Sequence, residues 1–289
     1  VSGIKKDTLL NILAIENPTL DRDTLFSLIL CGDVRVNGEV FIDPRVRIPV
    51  DAEIRIEKKK AYVSRGGIKL EHALSAFNVD VRGKIFLDAG SSTGGFTDCL
   101  LRHGARKVYA VDVGYNQLDF SLRRDPRVVV YERRNIMHLT RVDFKGEGGA
   151  EGDIPDAAVC DLSFRSIRGA ASHIIDLTRE RFLIALVKPQ FERMHVRGFE
   201  KRKKDAFKGI VENRQELLEI IRRLVLDLKA EGLSVTDVTE SPIRGAKGNR
   251  EFFFLLEEYK IKEKSGDEGI RKGILEKLEA VIFEDSPNN

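Results

Sequence analysis

The stretch that decides the fold is FLDAGSSTGGFTDCLL, residues 86–101. Its apolar opening ends on Asp88, glycines follow at 90, 94 and 95, and Thr97 or Asp98 then opens a helical run. Strand, glycine loop and helix in that order make a βα unit of a parallel sheet. Glycines let backbone N–H groups approach a ligand with no Cβ in the way. The loop is not GxGxxG, and no GK[ST] closes it as in a Walker A loop. A carboxylate just before the loop repels a pyrophosphate and suits a cation. The amino-acid end of S-adenosylmethionine is such a cation. An ordinary tight βα turn would use the same glycines.

Working outward, strands are expected at KIFLDAG (84–90), KVYAVDV (107–113), RVVVYE (127–132), DAAVCDL (156–162), FLIALVK (182–188), LSVTDVTE (233–240) and EFFFLLEE (251–258), with a helix at 68–78 ahead of them. Helical patterns separate most of these strands. Between the last two, SPIRGAKGNR leaves room only for a loop, so they pair antiparallel. The expected fold is α/β: a Rossmann-like, S-adenosylmethionine-dependent methyltransferase with a seven-stranded, mostly parallel sheet and a terminal antiparallel hairpin. The second strand ends in Asp112, about twenty residues past the glycines, where an acid can hold both ribose hydroxyls of an adenosine. NAD would explain Asp112 as well; the acid before the loop and the closing hairpin favour S-adenosylmethionine. Asn135 and Ile136, after the third strand, stand at the adenine edge and floor, although Asn135 could equally cap a turn. The residues expected on the cofactor are therefore Asp88, Gly90, Ser91, Thr93, Gly94, Gly95, Phe96, Asp112, Asn135, Ile136 and Asp161.

The chain has 289 residues, 42% hydrophobic and 33% charged, with a formal net charge of +3, which suits one or two domains with a real core. Residues 1–60 read as a separate small α+β module: helices at DTLLNILAIE and DRDTLFSLILCGD, a hairpin turning at Asn37-Gly38, and one more strand in AEIRIEKKK. Residues 61–258 hold the sheet. Residues 259–289 form a charged tail with Ile270, Ile274, Leu278 and Val281 at helical spacing, an amphipathic helix packed on the sheet or on a partner, core packing being favoured. The cysteines at 31, 99 and 160 form no CxxC pair, so neither a zinc site nor a disulfide framework is expected, and no metal is assigned. A cytoplasmic setting follows from reduced thiols and from an N-terminus without a signal-peptide core. No apolar run approaches a membrane span.

The end of the fourth strand narrows the chemistry. An adenine N6 methyltransferase carries [DN]PP[YFW] there, whereas this chain has Asp161-Leu162-Ser163-Phe164. A cytosine C5 enzyme needs a nucleophilic Cys in a Pro-Cys pair, and Cys160 lies inside the strand. Transfer to an atom other than those two is favoured. Strand five delivers Lys188 at its tip, where a lysine would ordinarily snorkel to solvent. Ligands of open α/β sheets bind over the strand carboxyl ends. Lys188, Asp161, Glu251 at the start of the last strand and Lys69 on the preceding helix all belong to that edge, as a charge-balanced cluster.

Lys69, Asp161, Lys188 and Glu251 match, in order and motif context, the Lys-Asp-Lys-Glu tetrad of the FtsJ-like ribose 2′-O-methyltransferases. SRGGIKLE, DAGSSTGGFTDCLL, CDLSF and LVKPQFE together resemble the TlyA family, often labelled haemolysin A, across residues 3–257. The resemblance implies an S4-type RNA-binding domain joined to an FtsJ-like catalytic domain, S-adenosyl-L-methionine as cofactor, and ribosomal RNA as substrate. The target it implies is a cytidine ribose of large-subunit rRNA, with small-subunit rRNA, and free RNA against an assembled ribosomal subunit, left open. It implies Lys188 as the residue that accepts the 2′-hydroxyl proton or orients the hydroxyl, Lys69 as its tuning neighbour, and Asp161 and Glu251 as holders of the two ammonium groups. The chain departs from the family at KKDTLLNIL, where an Arg-Leu-Asp start is usual, and in its tail.

Two basic segments are expected to meet RNA phosphates: Lys58, Lys59 and Lys60 with Arg65, and the loop holding Lys201, Arg202, Lys203 and Lys204. Residues 193–208 carry seven Lys or Arg against Glu200 and Asp205. Three alternatives stand beside this reading: a membrane-lytic haemolysin-like protein, a non-catalytic RNA-binding protein on a methyltransferase fold, and an NAD enzyme. No membrane partner is expected, and the sequence is silent on oligomeric state.

Overall fold

The computed structural model describes residues 5–30, 32–56, 62–144, 153–163, 166–195, 209–259 and 267–283. The chain divides into two compact units, Val1–Tyr62 and Val63–Ser286.

In the first unit, β1 (Lys6–Thr8) leads into α1 (Leu9–Glu16) and α2 (Arg22–Leu30). The Thr8 hydroxyl accepts the Asn11 N–H at 3.3 Å and Asp21 accepts that of Thr24 at 2.8 Å, so each helix begins on a side-chain cap. β2 (Val34–Val36), β3 (Glu39–Val40), β4 (Arg47–Pro49) and β5 (Ile54–Ile56) follow. Asn37 and Gly38 both have positive φ, 51° and 86°, as a two-residue hairpin turn requires, and join β2 to β3. Leu9, Leu13, Leu25, Ile29 and Val34 fill the core of this unit. The pairing of β1 with β4 is not visible in the sequence, because three residues a side carry too little alternation to read.

The second unit opens with α3 (Gly66–Ala76), two residues ahead of the expected helix. The early start has a packing cause. A Cβ on Gly95 would stand 2.3 Å from Ser64 Oγ and 2.9 Å from the Gly67 nitrogen, so α3 begins in close contact with the next helix. Then come β6 (Ile85–Ala89), α4 (Gly95–Arg102), β7 (Lys107–Val111), α5 (Phe120–Arg123), β8 (Val128–Tyr131), β9 (Ala157–Cys160), α6 (Ala170–Asp176), β10 (Phe182–Val187), α7 (Pro189–Glu192), α8 (Arg214–Ala230), β11 (Leu233–Glu240), β12 (Phe252–Glu258) and α9 (Asp267–Phe283).

All seven expected strands lie in one sheet of order β11-β12-β10-β9-β6-β7-β8. The last two strands join antiparallel, β12 beside β10, and the other five run parallel. β6, β7, β9 and β10 are buried almost throughout, as a sheet covered on both faces demands. α9 packs Ile274, Leu278 and Ile282 into the main core, and Val281 is partly buried against it. The Arg250 guanidinium donates to the carbonyls of Val281 and Ile282, both at 2.8 Å, and so satisfies the end of that helix.

Candidate active site

The sheet sets up two neighbouring corners at its carboxyl edge. The first is built on β6. Asp88 is fully buried; its Oδ2 accepts the Thr97 hydroxyl at 2.7 Å. Its Oδ1 is buried with no hydrogen-bond partner among the described residues. Burial pushes the carboxyl up to about 7; the Thr97 hydroxyl partly offsets this, and the nearby Asp161 and Asp112 charges add to it. Gly90 follows with φ +86°, and a Cβ there would lie 2.5 Å from the Asp161 carbonyl oxygen. Only glycine lets the loop turn this close to the end of β9. Beside it, past the end of β7, Asp112 accepts the N–H of Ser92 at 2.8 Å and of Gly114 at 2.6 Å, which ties the glycine loop to the next strand.

The second corner holds four charges. Val187 pairs with Phe252 across β10 and β12, so Lys188 and Glu251 are the next residues at the same end of that ladder. Asp161 follows β9, and its N–H donates to the Ala89 carbonyl at 3.0 Å. Lys188 forms an ion pair with Asp161 and donates to Ser163 Oγ at 3.1 Å. Lys69, on the first turn of α3, pairs with Glu251 at 2.6 Å, and Glu251 is only 3% exposed. A Cβ on Gly245 would overlap the Glu251 carboxylate, so the loop before β12 closes over this acid only because that residue is glycine. The four charges thus form two ion pairs, each lysine held by one acid. Such pairs offset the cost of burying their members.

Residues 62–258 match the family model described as FtsJ-like methyltransferase. This chain belongs to the FtsJ-like methyltransferase family. Among FtsJ-like relatives, Hemolysin A of Brachyspira hyodysenteriae is 41% identical over 239 residues, 82% of this chain and 94% of that protein. The 16S/23S rRNA (cytidine-2′-O)-methyltransferase TlyA of Mycobacterium tuberculosis is 37% identical over 81% of this chain and 84% of its own. A solved structure from Streptococcus thermophilus, described as a candidate hemolysin, superposes with a TM-score of 0.63 at 32% identity, covering 96% of each chain.

The cofactor of an FtsJ-like domain is S-adenosylmethionine, and the first corner fits it. Asp88 offers an unpartnered buried oxygen beside a loop free of Cβ atoms, and its raised carboxyl is the state that a cationic ligand would reverse. Asp112, just past β7, has acceptor capacity beyond its two backbone partners. Val113, next to it, is exposed. Ser91 is buried and Thr93 exposed within the loop.

Other expected residues have local duties. The Phe96 ring is buried against Phe253 on β12, centroids 6.0 Å apart, and serves packing. Asn135 accepts the Met137 N–H at 3.0 Å and caps a short 3-10 turn, and Ile136 is buried beneath it. Cys160 is buried inside β9, and burial pushes its thiol up, away from the thiolate a cytosine C5 nucleophile needs. Arg65 is exposed just before α3. Lys58, Lys59, Lys60, Lys201, Arg202, Lys203 and Lys204 lie outside the described residues.

Three features of this region are not legible in the sequence. Ser163 was in view in CDLSF but had no role until Lys188 was seen to donate to it. Gly245 sat in a stretch read only as a loop. The third is a stack: Tyr115 and Phe120, 64% and 70% exposed, lie in the segment after β7, and the Arg133 guanidinium stands 4.0 Å over the Tyr115 ring. Arg124 stands 5.5 Å over Phe120.

Proposed function

We propose that this protein is an S-adenosylmethionine-dependent ribose 2′-O-methyltransferase of ribosomal RNA. The observation that carries the reading is the Lys188 ammonium, held between Asp161 and Ser163 at the strand edge beside the Asp88 corner. One of its N–H groups donates to Ser163 Oγ and the ammonium is ion-paired with Asp161, so a lysine with three donors keeps capacity for a substrate hydroxyl. The Lys69–Glu251 pair lies at the same end of β12 and adds a second fixed positive charge.

S-adenosylmethionine supplies, when bound, a methyl on a sulfonium that departs as a neutral thioether. Asp88, Asp112 and the loop from Gly90 to Gly95 would hold it. Lys188 orients the ribose 2′-oxygen and withdraws density from its O–H bond. The proton lost as the O–C bond forms passes to the Asp161 carboxylate, which is paired with the Lys188 ammonium, and on to solvent. Lys69 and Glu251 hold β12 and the loop before it in register with Lys188.

The substrate class rests on the relatives. The Mycobacterium tuberculosis protein is named for cytidine-2′-O methylation of 16S and 23S rRNA, and a protein of Campylobacter jejuni, 34% identical over 193 residues, is named for that of 23S rRNA. We assign this chain the same class, a cytidine ribose of large-subunit rRNA, with small-subunit rRNA, and free rRNA against an assembled subunit, distinguished by the test below. The domain division at 60 and 258, the S4-like character of the first unit, and RNA contacts by Lys58–Lys60, Arg65 and Lys201–Lys204 belong to this proposal. To them we add Tyr115 and Arg133 as a stacking platform for an unpaired base. A cytoplasmic setting goes with it.

The hemolysin names of other relatives have no counterpart in a spanning segment: no helix among the described residues is long and apolar enough to cross a membrane. The test is to incubate isolated ribosomal subunits and free rRNA with the protein and S-adenosylmethionine and map 2′-O-methyl groups by nucleotide. New 2′-O-methyl cytidine is expected. Methyl groups on base atoms alone, or none in either substrate, would overturn the assignment.

A further inference from the structure

The segment after β9 and the turn after β10 share one buried carboxylate. Glu192, the last residue of α7, is 1% exposed. Its Oε1 accepts the Ile167 N–H at 2.9 Å, its Oε2 accepts the Ser166 hydroxyl at 2.5 Å, and the Arg168 guanidinium closes an ion pair on it. Arg168 also reaches Asp227 on α8 at 2.8 Å, and the Gly169 N–H donates to Glu231 at 2.9 Å. The neighbouring Arg193 is tied to Glu216 at 2.6 Å, again on α8. A turn of chain four residues past Lys188 and a segment three residues past Ser163 are therefore clamped together and fastened to α8.

The position is informative because a buried ion pair is a poor way to gain stability. Apolar side chains of similar volume fill such a space as well or better. What a carboxylate does that they cannot is fix several donors in one arrangement at once. Those donors stand three to five residues past Ser163, which accepts from the Lys188 ammonium, and Asp161 is the ion-pair partner of that ammonium.

We propose that Glu192 is a positioning residue for methyl transfer: it locks segment 166–168 to the turn after Lys188 and thereby holds Asp161 and Ser163 on the ammonium. This rests on Lys188 being the transfer site. It assigns no contact with substrate to Glu192 itself.

The test compares Glu192→Gln, which keeps shape and one acceptor but removes the charge, with Ser163→Ala and with the double variant, under single-turnover conditions on rRNA. Cofactor affinity is measured alongside. Glu192→Gln is expected to slow transfer at least 10-fold with cofactor affinity unchanged. In the Ser163→Ala background the same substitution is expected to cost much less, because both act through Lys188. Losses that simply multiply, or an unchanged rate, would overturn the proposal. Where Glu192→Gln does not fold, Glu192→Leu combined with Arg168→Met supplies an apolar replacement of the pair. Normal melting with slow transfer supports the proposal, and normal melting with full transfer reduces Glu192 to packing. Absence of transfer by the unaltered protein, or full transfer by Lys188→Ala, would instead remove the functional reading beneath it.

Discussion

Two acids at neighbouring strand tips are treated in opposite ways. Asp88, at the end of β6, is buried with one oxygen unpartnered among the described residues and its carboxyl raised to about 7. Asp161, just past β9, is in contact with the Lys188 ammonium. The first charge is left for a ligand to neutralise; the second is neutralised by the protein. A binding corner can hold an uncompensated acid because its cation arrives with the cofactor. A transfer corner must keep its charges in place through every turnover, so it carries its own counter-ions.

The comparison breaks first where a counter-ion is removed. Lys69→Met leaves Glu251 buried and unpaired, and is expected to lower unfolding free energy by about 3–5 kcal/mol in urea titrations. Lys69→Met with Glu251→Leu is expected to recover most of that stability. A single variant as stable as the parent would mean that Glu251 finds another partner.

Asp88 predicts the reverse sign. Its carboxyl takes up a proton near pH 7 in the folded protein but near 3.8 in the unfolded chain. Between about pH 4 and 7 the ligand-free folded state therefore holds a proton that the unfolded state lacks, and stability falls as pH rises through that window. The full effect is on the order of 4 kcal/mol. Asp88→Asn should flatten this dependence, raise the melting temperature of the ligand-free protein at neutral pH, and weaken S-adenosylmethionine binding. In the unaltered protein, cofactor affinity should strengthen as pH rises toward 7. A melting curve equally pH-dependent in both proteins would sink the contrast.

The smallest expected effect lies on the substrate side. Tyr115→Ala is expected to cost about 1–3 kcal/mol of RNA affinity while Tyr115→Phe keeps it, with cofactor binding unchanged in both. Loss of cofactor affinity instead would place the Tyr115–Arg133 stack in the adenosine corner.

Legibility followed the same divide. β6 to β10 and β12 were readable as apolar runs bounded by turn residues, and β11 by its apolar-polar alternation. Tetrad membership was readable from Lys69, Asp161, Lys188 and Glu251 in their motif contexts. Which lysine pairs with which acid was not, because that depends on α3 standing over the end of β12, a separation of 182 residues between Lys69 and Glu251. The unpartnered oxygen of Asp88 was not readable either: a sequence shows a carboxylate, not which of its oxygens lacks a donor. The glycine at 245 looked like any loop glycine until the acid beneath it was placed. Phe96 packing on Phe253 and Asn135 capping the turn at Met137 were not readable either, because nearness to a motif shows no contact.

The most direct measurement is single-turnover transfer of the methyl group from S-adenosylmethionine to rRNA by Lys188→Ala, with cofactor affinity determined on the same sample. The expected result is an affinity within a few-fold of the parent and a rate lower by about 100- to 10,000-fold. Transfer at the parental rate would contradict the central claim that Lys188, held by Asp161 and Ser163, is where the ribose hydroxyl is methylated.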